Sequence, residues 1–298
     1  MDLANVEIFL AVAEKSGITR AARALGRVPS NVTVRVQQLE RELGATLFNR
    51  DGRKMTLTDE GAAFLTYARR LLALSAEARA ALRPAAASGP LRVGAMESTA
   101  ASRLPDVLTS FRRRWPEVSL QLTMGPTREL ARAVLDGALD CALVAQPPAD
   151  LRRADAALGV DLFGLSARRV FVEEVMIVAP SGHPDIRSAA DLEVDMLAAL
   201  EPGCTYRRIA EHWGRSRHGL RTMELNSYHA MLAIVAAGNV VGVAPRSVLD
   251  LIRQPAGTTV HPLASVDTLL VRRRGEPSPA IDAFAEALHG RPAAPVHH

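Results

Sequence analysis

The chain has 298 residues, a formal net charge of +4, and 48% hydrophobic residues. This length predicts two or three folded domains, and two cysteines exclude a disulfide-stapled scaffold. No apolar run reaches the roughly 18 residues of a membrane-spanning helix. The N-terminus has neither a basic region nor a cleavage site, so we expect a cytoplasmic protein with no membrane partner.

Residues 16–58 predict two short helices joined by a tight turn and followed by a hairpin. Ala21 and Ala22 are small enough for close helix packing, and Gly26 stands where the turn favours positive φ. Pro29 and Ser30 suit the first turn of the second helix. An apolar row at one helix face is formed by Val32, Val36, Leu39 and Leu43.

The opposite face of this second helix is polar and basic, as in a helix that reads the major groove of DNA. A basic hairpin follows, with an Asp-Gly turn at residues 51–52. An ordinary helical hairpin with a solvated basic turn is the alternative. The polar face and basic turn together favour DNA. The predicted DNA-binding residues are Thr19, Arg20, Pro29, Ser30, Asn31, Thr33, Val34, Arg35, Gln38, Arg50, Arg53 and Lys54.

The positive charge is concentrated in the same part of the chain. Residues 1–83 contain 13 Lys and Arg against 9 Asp and Glu, whereas the remainder contains 23 of each. Such an excess attracts a polyanion and makes binding salt-dependent. The excess is modest, so it supports the motif without being sufficient by itself.

A long helix is predicted from Thr58, its cap, to about residue 83. Its apolar stripe either packs on its own domain or forms a dimer, and its length favours a dimer-forming linker helix. Residues 84–90 read as a linker. The stripe comprises Phe64, Leu65, Ala68, Leu71, Leu72, Ser75, Ala78 and Leu82.

From residue 91 onward, strands and helices alternate. Strands are predicted at 91–96, 118–123, 139–145, 170–180, 196–200, 223–225, 240–244 and 266–272. Helices are predicted near 98, 127–136, 189–192, 205, 227–237 and 279–289. This alternation indicates two α/β lobes with mostly parallel strands and a late strand that returns to the first lobe. Two such lobes with a cleft are typical of hinged binders of small ligands.

With these elements placed, the whole sequence resembles the LysR-type transcriptional regulators. The resemblance is carried by AVAEKSGITRAARALG and by VRVQQLERELGATLFNRDGRKMTLTDEGAAFL. It implies a multidomain fold: a winged helix-turn-helix at 1–58, a dimerisation linker helix and hinge at 59–89, and a two-lobed effector-binding domain at 90–298. That domain is like periplasmic binding proteins, with lobe 1 at about 90–165 and 266–298, and lobe 2 at about 166–265.

The resemblance also implies partners: double-stranded DNA, a small organic effector, a second copy in a dimer or tetramer, and RNA polymerase. Within the family, the chain is similar to the branch of the putrescine-utilisation regulator, through residues 97–101, 203–208 and 227–232. It departs from the common family pattern because Pro29, Ser30 and Asn31 replace the usual Gln-Pro start of the recognition helix. The operator therefore cannot be carried over.

Loops that follow strands in open α/β lobes are where ligands bind. Hydroxyls and helix starts there suit carboxylates, whereas Glu97 suits an amine, so a zwitterion or an amine is also compatible. Each residue alone could be a helix cap. The predicted effector-binding residues are Glu97, Ser98, Thr99, Gly125, Thr127, Gln146, Gly203, Cys204, Thr205, Tyr206, Ser227, Tyr228 and Pro245.

Cys204 has a second interpretation, because a thiol at a helix start beside Arg207 and Arg208 could be a redox sensor with a lowered pKa. Lining the pocket is the favoured role. An enzyme is the competing class, but the sequence lacks metal-binding Cys pairs, a Gly-rich phosphate loop and Gly-x-Ser-x-Gly. We therefore predict no catalytic residue, metal or cofactor. A transporter's solute-binding protein would need export, and no signal is present.

Overall fold

The computed structural model describes residues 1–51, 54–81, 87–215, 220–252, 257–275 and 277–289. For residues 50, 51, 54, 73, 76, 77 and 79–81 it describes the backbone only. The chain divides into two compact units, an N-terminal one of residues 1–86 with 136–138 and a C-terminal one of residues 87–135 and 139–298. Among the helices so described, none is both long and apolar enough to cross a membrane.

The N-terminal unit contains the predicted helices and hairpin. Its elements are α1 (Leu3–Lys15), α2 (Ile18–Ala24), α3 (Pro29–Leu43), β1 (Phe48–Asp51), β2 (Lys54–Leu57) and α4 (Asp59–Ala81). Gly26 has φ +61°, as the turn requires. Helix α3 begins at Pro29, but its cap is Val28, which makes no side-chain capping bond. We call the hairpin β1–β2 the wing.

The core of this unit is formed by the inner faces of α1, α2 and α3. Val32, Val36 and Leu39 are buried, as predicted from their spacing. Leu43 is 37% exposed, so the prediction was wrong for the last member of the row. The reason is that α3 ends there, at Gly44 in the left-handed conformation.

Helix α4 uses its apolar residues in two ways. Ala68 is buried, and Phe64, Leu65 and Leu72 pack against the N-terminal core. The alternative of packing on its own domain therefore holds for this part of the stripe. Tyr67 and Leu74, seven residues apart, are each 61% exposed and occupy a different face. Leu82 lies outside the described residues.

The C-terminal unit alternates strands and helices. Up to its middle the elements are β3 (Gly89–Ala95), α5 (Glu97–Ser102), α6 (Leu104–Arg114), β4 (Val118–Met124), α7 (Thr127–Leu135), β5 (Cys141–Gln146), α8 (Ala149–Ala154) and β6 (Leu165–Pro180). They continue with β7 (Met196–Ala199), α9 (Thr205–Gly214), β8 (Arg221–Glu224), α10 (Tyr228–Ala236), β9 (Val241–Pro245), α11 (Arg246–Leu249), β10 (Thr258–Arg273) and α12 (Pro279–His289). Single 3₁₀ turns occupy Ala156–Leu158 and Ala189–Asp191.

The eight strands that the structure describes in this unit form one mixed sheet in the order β4-β3-β5-β10-β6-β9-β7-β8. Strand β3 is parallel to β4 and β5, and β7 is parallel to β8 and β9. The central pair β6 and β10 is antiparallel over 16 residues each. We call the β4-β3-β5 side the first lobe and the β9-β7-β8 side the second lobe. The predicted two-lobed α/β fold is confirmed, and the exact lobe boundaries stay a prediction.

Several elements differ from those predicted. The central strands are longer than expected and antiparallel, because both run through the two lobes and β10 returns along β6. The N-terminal part of each of these two strands, which was not predicted, contains polar residues and so does not have the pattern of a buried strand. The helix predicted near 189–192 is only a 3₁₀ turn, and α6, α8 and α11 were not predicted.

Candidate DNA-binding and effector-binding sites

The start of α3 presents the exposed face expected of a DNA-reading helix. Ser30 and Asn31 are exposed, and Val34 is 56% exposed. The Thr33 hydroxyl donates to the carbonyl oxygen of Pro29 at 3.0 Å, and the Gln38 amide donates to Glu42 at 3.3 Å. Ser30, Asn31 and Val34 are thus exposed near the N-terminal end of α3, the part of a groove-bound helix that contacts base edges.

Two predicted arginines of this unit are held by neighbouring groups. Nη1 of Arg35 donates to Oδ1 of Asn5 at 3.3 Å and lies 3.7 Å from the Asp2 carboxylate. Nη2 of Arg20 donates to the carbonyl oxygen of Ser16 at 2.8 Å. These bonds orient both guanidinium groups. Each group keeps further N–H donors that can bond phosphate oxygens.

The structure describes only part of the basic tip of the wing. Arg53 lies outside the described residues, and the side chains of Arg50 and Lys54 are not described. Their DNA contacts stay predictions. The antiparallel pairing of Phe48 with Leu57 confirms the predicted hairpin.

Polar contacts hold the start of the wing against α3 and cap α4. The Glu40 carboxylate accepts from the backbone N–H groups of Leu47 at 2.9 Å and Phe48 at 3.3 Å. The Thr58 hydroxyl accepts from the N–H of Gly61 at 2.9 Å, which caps α4. A Cβ at Gly61 would come within 2.1 Å of the Leu47 carbonyl oxygen, so only glycine fits there.

In the C-terminal unit, predicted effector residues from the two lobes meet between α5 and the helices α9 and α10. The Ser98 side chain faces the hydroxyls of Tyr206 and Tyr228, and all three residues are buried. Burial raises the pKa of both tyrosines well above the usual value, so both stay neutral. Gly203 lies against Pro126, because a Cβ there would be 2.7 Å from the proline ring.

Several buried oxygens at this junction have no hydrogen-bond partner in the described part of the chain. They include Oγ1 of Thr99 and the hydroxyl of Tyr206, whose residues are each 1% exposed. The Ser98 side chain is close enough to the Tyr206 hydroxyl to lower its pKa, but it makes no hydrogen bond of ordinary length and angle with it. Buried polar atoms are normally bonded, because an unsatisfied one costs about 1–3 kcal/mol. These atoms are therefore candidate contacts for a bound molecule.

A buried ion pair lies beside them and was not predicted. Nε of Arg103 donates to Oε1 of Glu173 at 2.6 Å, and the Glu173 residue is 2% exposed. Its other oxygen, Oε2, has no partner among the described atoms. The charge of Glu173 also raises the pKa of Tyr206. The sequence signal was a glutamate pair within the apolar strand β6.

Two acidic residues, Glu97 on the first lobe and Glu201 on the second, lie near each other. Removal from water raises the pKa of the Glu97 carboxyl above its usual value, and the charge of Glu201 raises it further. The charge of His229 lowers the pKa of Glu97. A positively charged group near Glu97 would relieve this repulsion.

The structure disfavours a redox role for Cys204. Burial raises the pKa of its thiol to about 11, despite hydrogen bonds from the backbone of Arg207 and Tyr206. The lowered pKa that a reactive thiol needs is therefore absent at this residue. Cys141 is buried in β5, where burial also raises the pKa of its thiol.

Other predicted effector residues have internal partners. The Thr127 hydroxyl accepts from the N–H of Ala145 at 3.1 Å, and Oε1 of Gln146 accepts from that of Val160 at 3.0 Å. Ser227 caps α10. Thr205 and Pro245 are buried, and Gly125 packs near Leu130. Effector contacts from these six residues stay predictions, as do those from the other predicted effector residues.

Comparisons with known proteins agree with this architecture. Residues 3–62 match the lysR family of bacterial regulatory helix-turn-helix proteins, and residues 84–293 match the LysR substrate binding domain. The chain is 32% identical to the HTH-type transcriptional regulator GltR of Bacillus subtilis, over 95% of each chain. The narrower resemblance to the putrescine-utilisation branch stays a prediction.

Solved structures show the same fold. A full-length OxyR variant from Pseudomonas aeruginosa is 23% identical, with TM-score 0.77, over 97% of this chain and 95% of that one. Full-length CbnR complexed with its target DNA is 22% identical, with TM-score 0.62, over 97% and 99% of the two chains.

Proposed function

Because this chain belongs to the LysR family of DNA-binding transcriptional regulators and is not an enzyme, we propose that it couples a specific operator to a small organic effector. The effector binds between the two lobes, at the junction of α5, α9 and α10. The observation that carries this proposal is the approach of Ser98 on α5 to Tyr206 on α9 and Tyr228 on α10, with buried oxygens of Thr99, Tyr206 and Glu173 left unpartnered among the described residues. We place a regulator with this task in the cytoplasm.

For DNA, the proposal assigns base reading to the exposed start of α3 and phosphate contacts to the arginines and the wing. Asn31 can bond base edges, and Val34 can contact a thymine methyl group. The DNA-bound CbnR, which has the same fold, supports this use of the N-terminal unit. Changes at Asn31 or Val34 should alter sequence preference, whereas Arg53→Ala should weaken binding to all sequences.

For the effector, the unpartnered atoms comprise two hydroxyls and one carboxylate oxygen. Hydroxyls both donate and accept, and a carboxylate accepts only, so a ligand with at least one N–H or O–H donor would satisfy them. Glu97 and Glu201 favour a positively charged group on the same ligand. We therefore place amines and zwitterions first among the effector classes to test.

Self-association completes the proposed mechanism. Tyr67 and Leu74 leave an apolar strip exposed on α4, as expected of a helix that pairs with a second copy. A dimer or tetramer then holds two α3 helices at half-sites on DNA. Effector binding changes subunit packing and contact with RNA polymerase, which requires different effector affinities in the two states.

The test has two arms on the full-length protein. A mobility shift with DNA from upstream of the protein's own gene should show binding at low salt, lost as salt rises. A thermal-shift screen of amines, amino acids and carboxylates should find a compound that raises the melting temperature of wild type. The same compound should not raise the melting temperature of the Thr99→Val variant. Absence of DNA binding at low salt would disprove the regulator assignment of the N-terminal unit.

A further inference from the structure

A cavity in the first lobe is lined by none of the three residues whose unpartnered oxygens support the proposed effector site. Its volume is about 540 Å³, within the range of small-molecule sites. Arg128 and Arg132 of α7 and Arg152 of α8 line it, together with the single acid Asp161. The lining charge is therefore positive.

Neutral groups orient two of these arginines. Nη2 of Arg128 donates to the carbonyl oxygen of Ala157 at 2.8 Å, and Nε of Arg152 donates to that of Pro147 at 2.9 Å. Within the described ranges, no ion pair joins Arg128 or Arg152 to a carboxylate. A guanidinium has five N–H donors, so each retains donors for a bidentate contact with an anion.

Two acids lie near the arginines of this cavity, one in its lining and one on the adjoining segment. Oδ1 of Asp161 accepts from the backbone N–H of Phe163 at 2.9 Å. Asp155, on the adjoining segment, lies 3.2 Å from Arg215 and 3.7 Å from His212. Asp155 is therefore paired with Arg215, whereas Asp161 places one negative charge against the three arginines of the lining, whose formal charge stays positive.

A fourth arginine reaches this region from the second lobe. Nη1 of Arg208 on α9 donates to the carbonyl oxygen of Leu158 at 3.4 Å. Burial lowers the pKa of Arg208, and the charge of Arg128 lowers it further, although Asp155 and Glu211 oppose this. A bound anion would relieve this repulsion and connect α7 and α8 to α9.

We propose that this cavity binds a small, multiply charged organic anion, either a phosphate ester or a polycarboxylate, independently of the effector between the lobes. The fixed guanidiniums of Arg128 and Arg152 supply the bidentate donors, and the surrounding positive charge supplies long-range attraction. Because Arg208 contacts the same segment from α9, occupancy of this cavity is positioned to influence the relation between the lobes.

The experiment titrates the full-length protein with inorganic phosphate and, separately, with citrate, at constant ionic strength. Calorimetry should show saturable binding of at least one anion, and the stronger of the two identifies the ligand class. Arg128→Gln and Arg152→Gln should each weaken the apparent Kd on the order of 10- to 100-fold, because each removes a charged hydrogen-bonding partner. Arg112→Gln, on the exposed face of α6, is the matched control and should bind as wild type.

A variant with the opposite expectation guards against misfolding of the arginine variants. Asp161→Asn keeps the Oδ1 acceptor for Phe163 and removes the repelling charge, so it should tighten binding several-fold. Non-saturable responses to both anions would overturn the proposal, as would unchanged affinity in Asp161→Asn and Arg152→Gln. Equal weakening by Arg35→Gln would instead assign the anion to the DNA-binding unit. DNA mobility shifts of the same variants test the regulator function separately.

Discussion

The carboxylate of Glu40, on helix α3, accepts a hydrogen bond from the backbone N–H of Leu47 at 2.9 Å, just before the wing begins. The same carboxylate also accepts from Phe48. One side chain thus joins the helix proposed to read bases to the hairpin proposed to bind phosphates. Their relative position is set before DNA is met, which reduces the entropy lost on binding.

Replacing Glu40 by alanine should destabilise the N-terminal unit by about 1–3 kcal/mol, because two backbone N–H groups lose a charged acceptor. Urea unfolding followed by circular dichroism measures the change. Glu40→Gln retains an acceptor oxygen and should recover part of the loss. Glu42→Ala, at an exposed neighbouring position, is the control. Equal stability of Glu40→Ala and Glu42→Ala would contradict the proposed anchoring.

Gly61→Ala should destabilise the protein although it lies in α4. By helix propensity alone, alanine would stabilise by about 1 kcal/mol. The carbonyl oxygen of Leu47 would lie 2.1 Å from the new Cβ, and such overpacking costs about 1–3 kcal/mol or more. Ala62→Gly, at the exposed next position, should cost about 1 kcal/mol by propensity. Thermal melting compares the two, and a more stable Gly61→Ala would show that the close contact is absent.

Thr99→Val should raise the stability of the effector-free protein by about 1 kcal/mol, because it removes a buried hydroxyl without a partner. Thr127→Val is the matched control in the same lobe. Its hydroxyl accepts from Ala145 and is buried, so its loss should destabilise the protein. Differential scanning calorimetry of both variants measures the signs. If both variants were stabilised, or both destabilised, the two hydroxyls would not differ in their hydrogen bonding as argued.

Glu97→Gln should stabilise the protein at pH 7 and have little effect at pH 4. The folded-state pKa of Glu97 is raised above 4.5, so its favourable contribution is present below the unfolded pKa and is lost as pH rises through the folded pKa. Glutamine removes the unfavourable charge at neutral pH. Melting temperatures across this interval test the sign, with Glu117→Gln as an exposed control. If Glu97→Gln stabilised the protein more at acid pH than at pH 7, the raised pKa of Glu97 would be wrong.

Peroxide should not change DNA binding through Cys204. With a thiol pKa of about 11, only about one molecule in ten thousand is a thiolate at pH 7, and thiolate is the reactive form. Mobility shifts after mild peroxide treatment should be the same for wild type and Cys204→Ser. A peroxide response present in wild type and absent from the serine variant would restore the redox interpretation.

Local patterns were sufficient for much of the fold. The spacing of Val32, Val36 and Leu39, the turn at Gly26 and the start at Pro29 predicted α3 because each depends on neighbouring residues only. The alternation of apolar strands and helices predicted the α/β class for the same reason. Strand β10 was predicted over half its length, because pairing with β6 supplies the backbone bonds that its polar half needs.

The candidate sites depended more on tertiary structure. Sequence alone determined the exposed reading face of α3 and the loops after strands, since helical periodicity and strand order decide both. Only the folded chain placed Ser98 beside Tyr206, joined Arg103 to Glu173, and committed Thr127 to an internal bond. Partners so far apart in sequence meet through packing of the two lobes, and the burial that leaves Thr99 and Tyr206 unsatisfied arises only there.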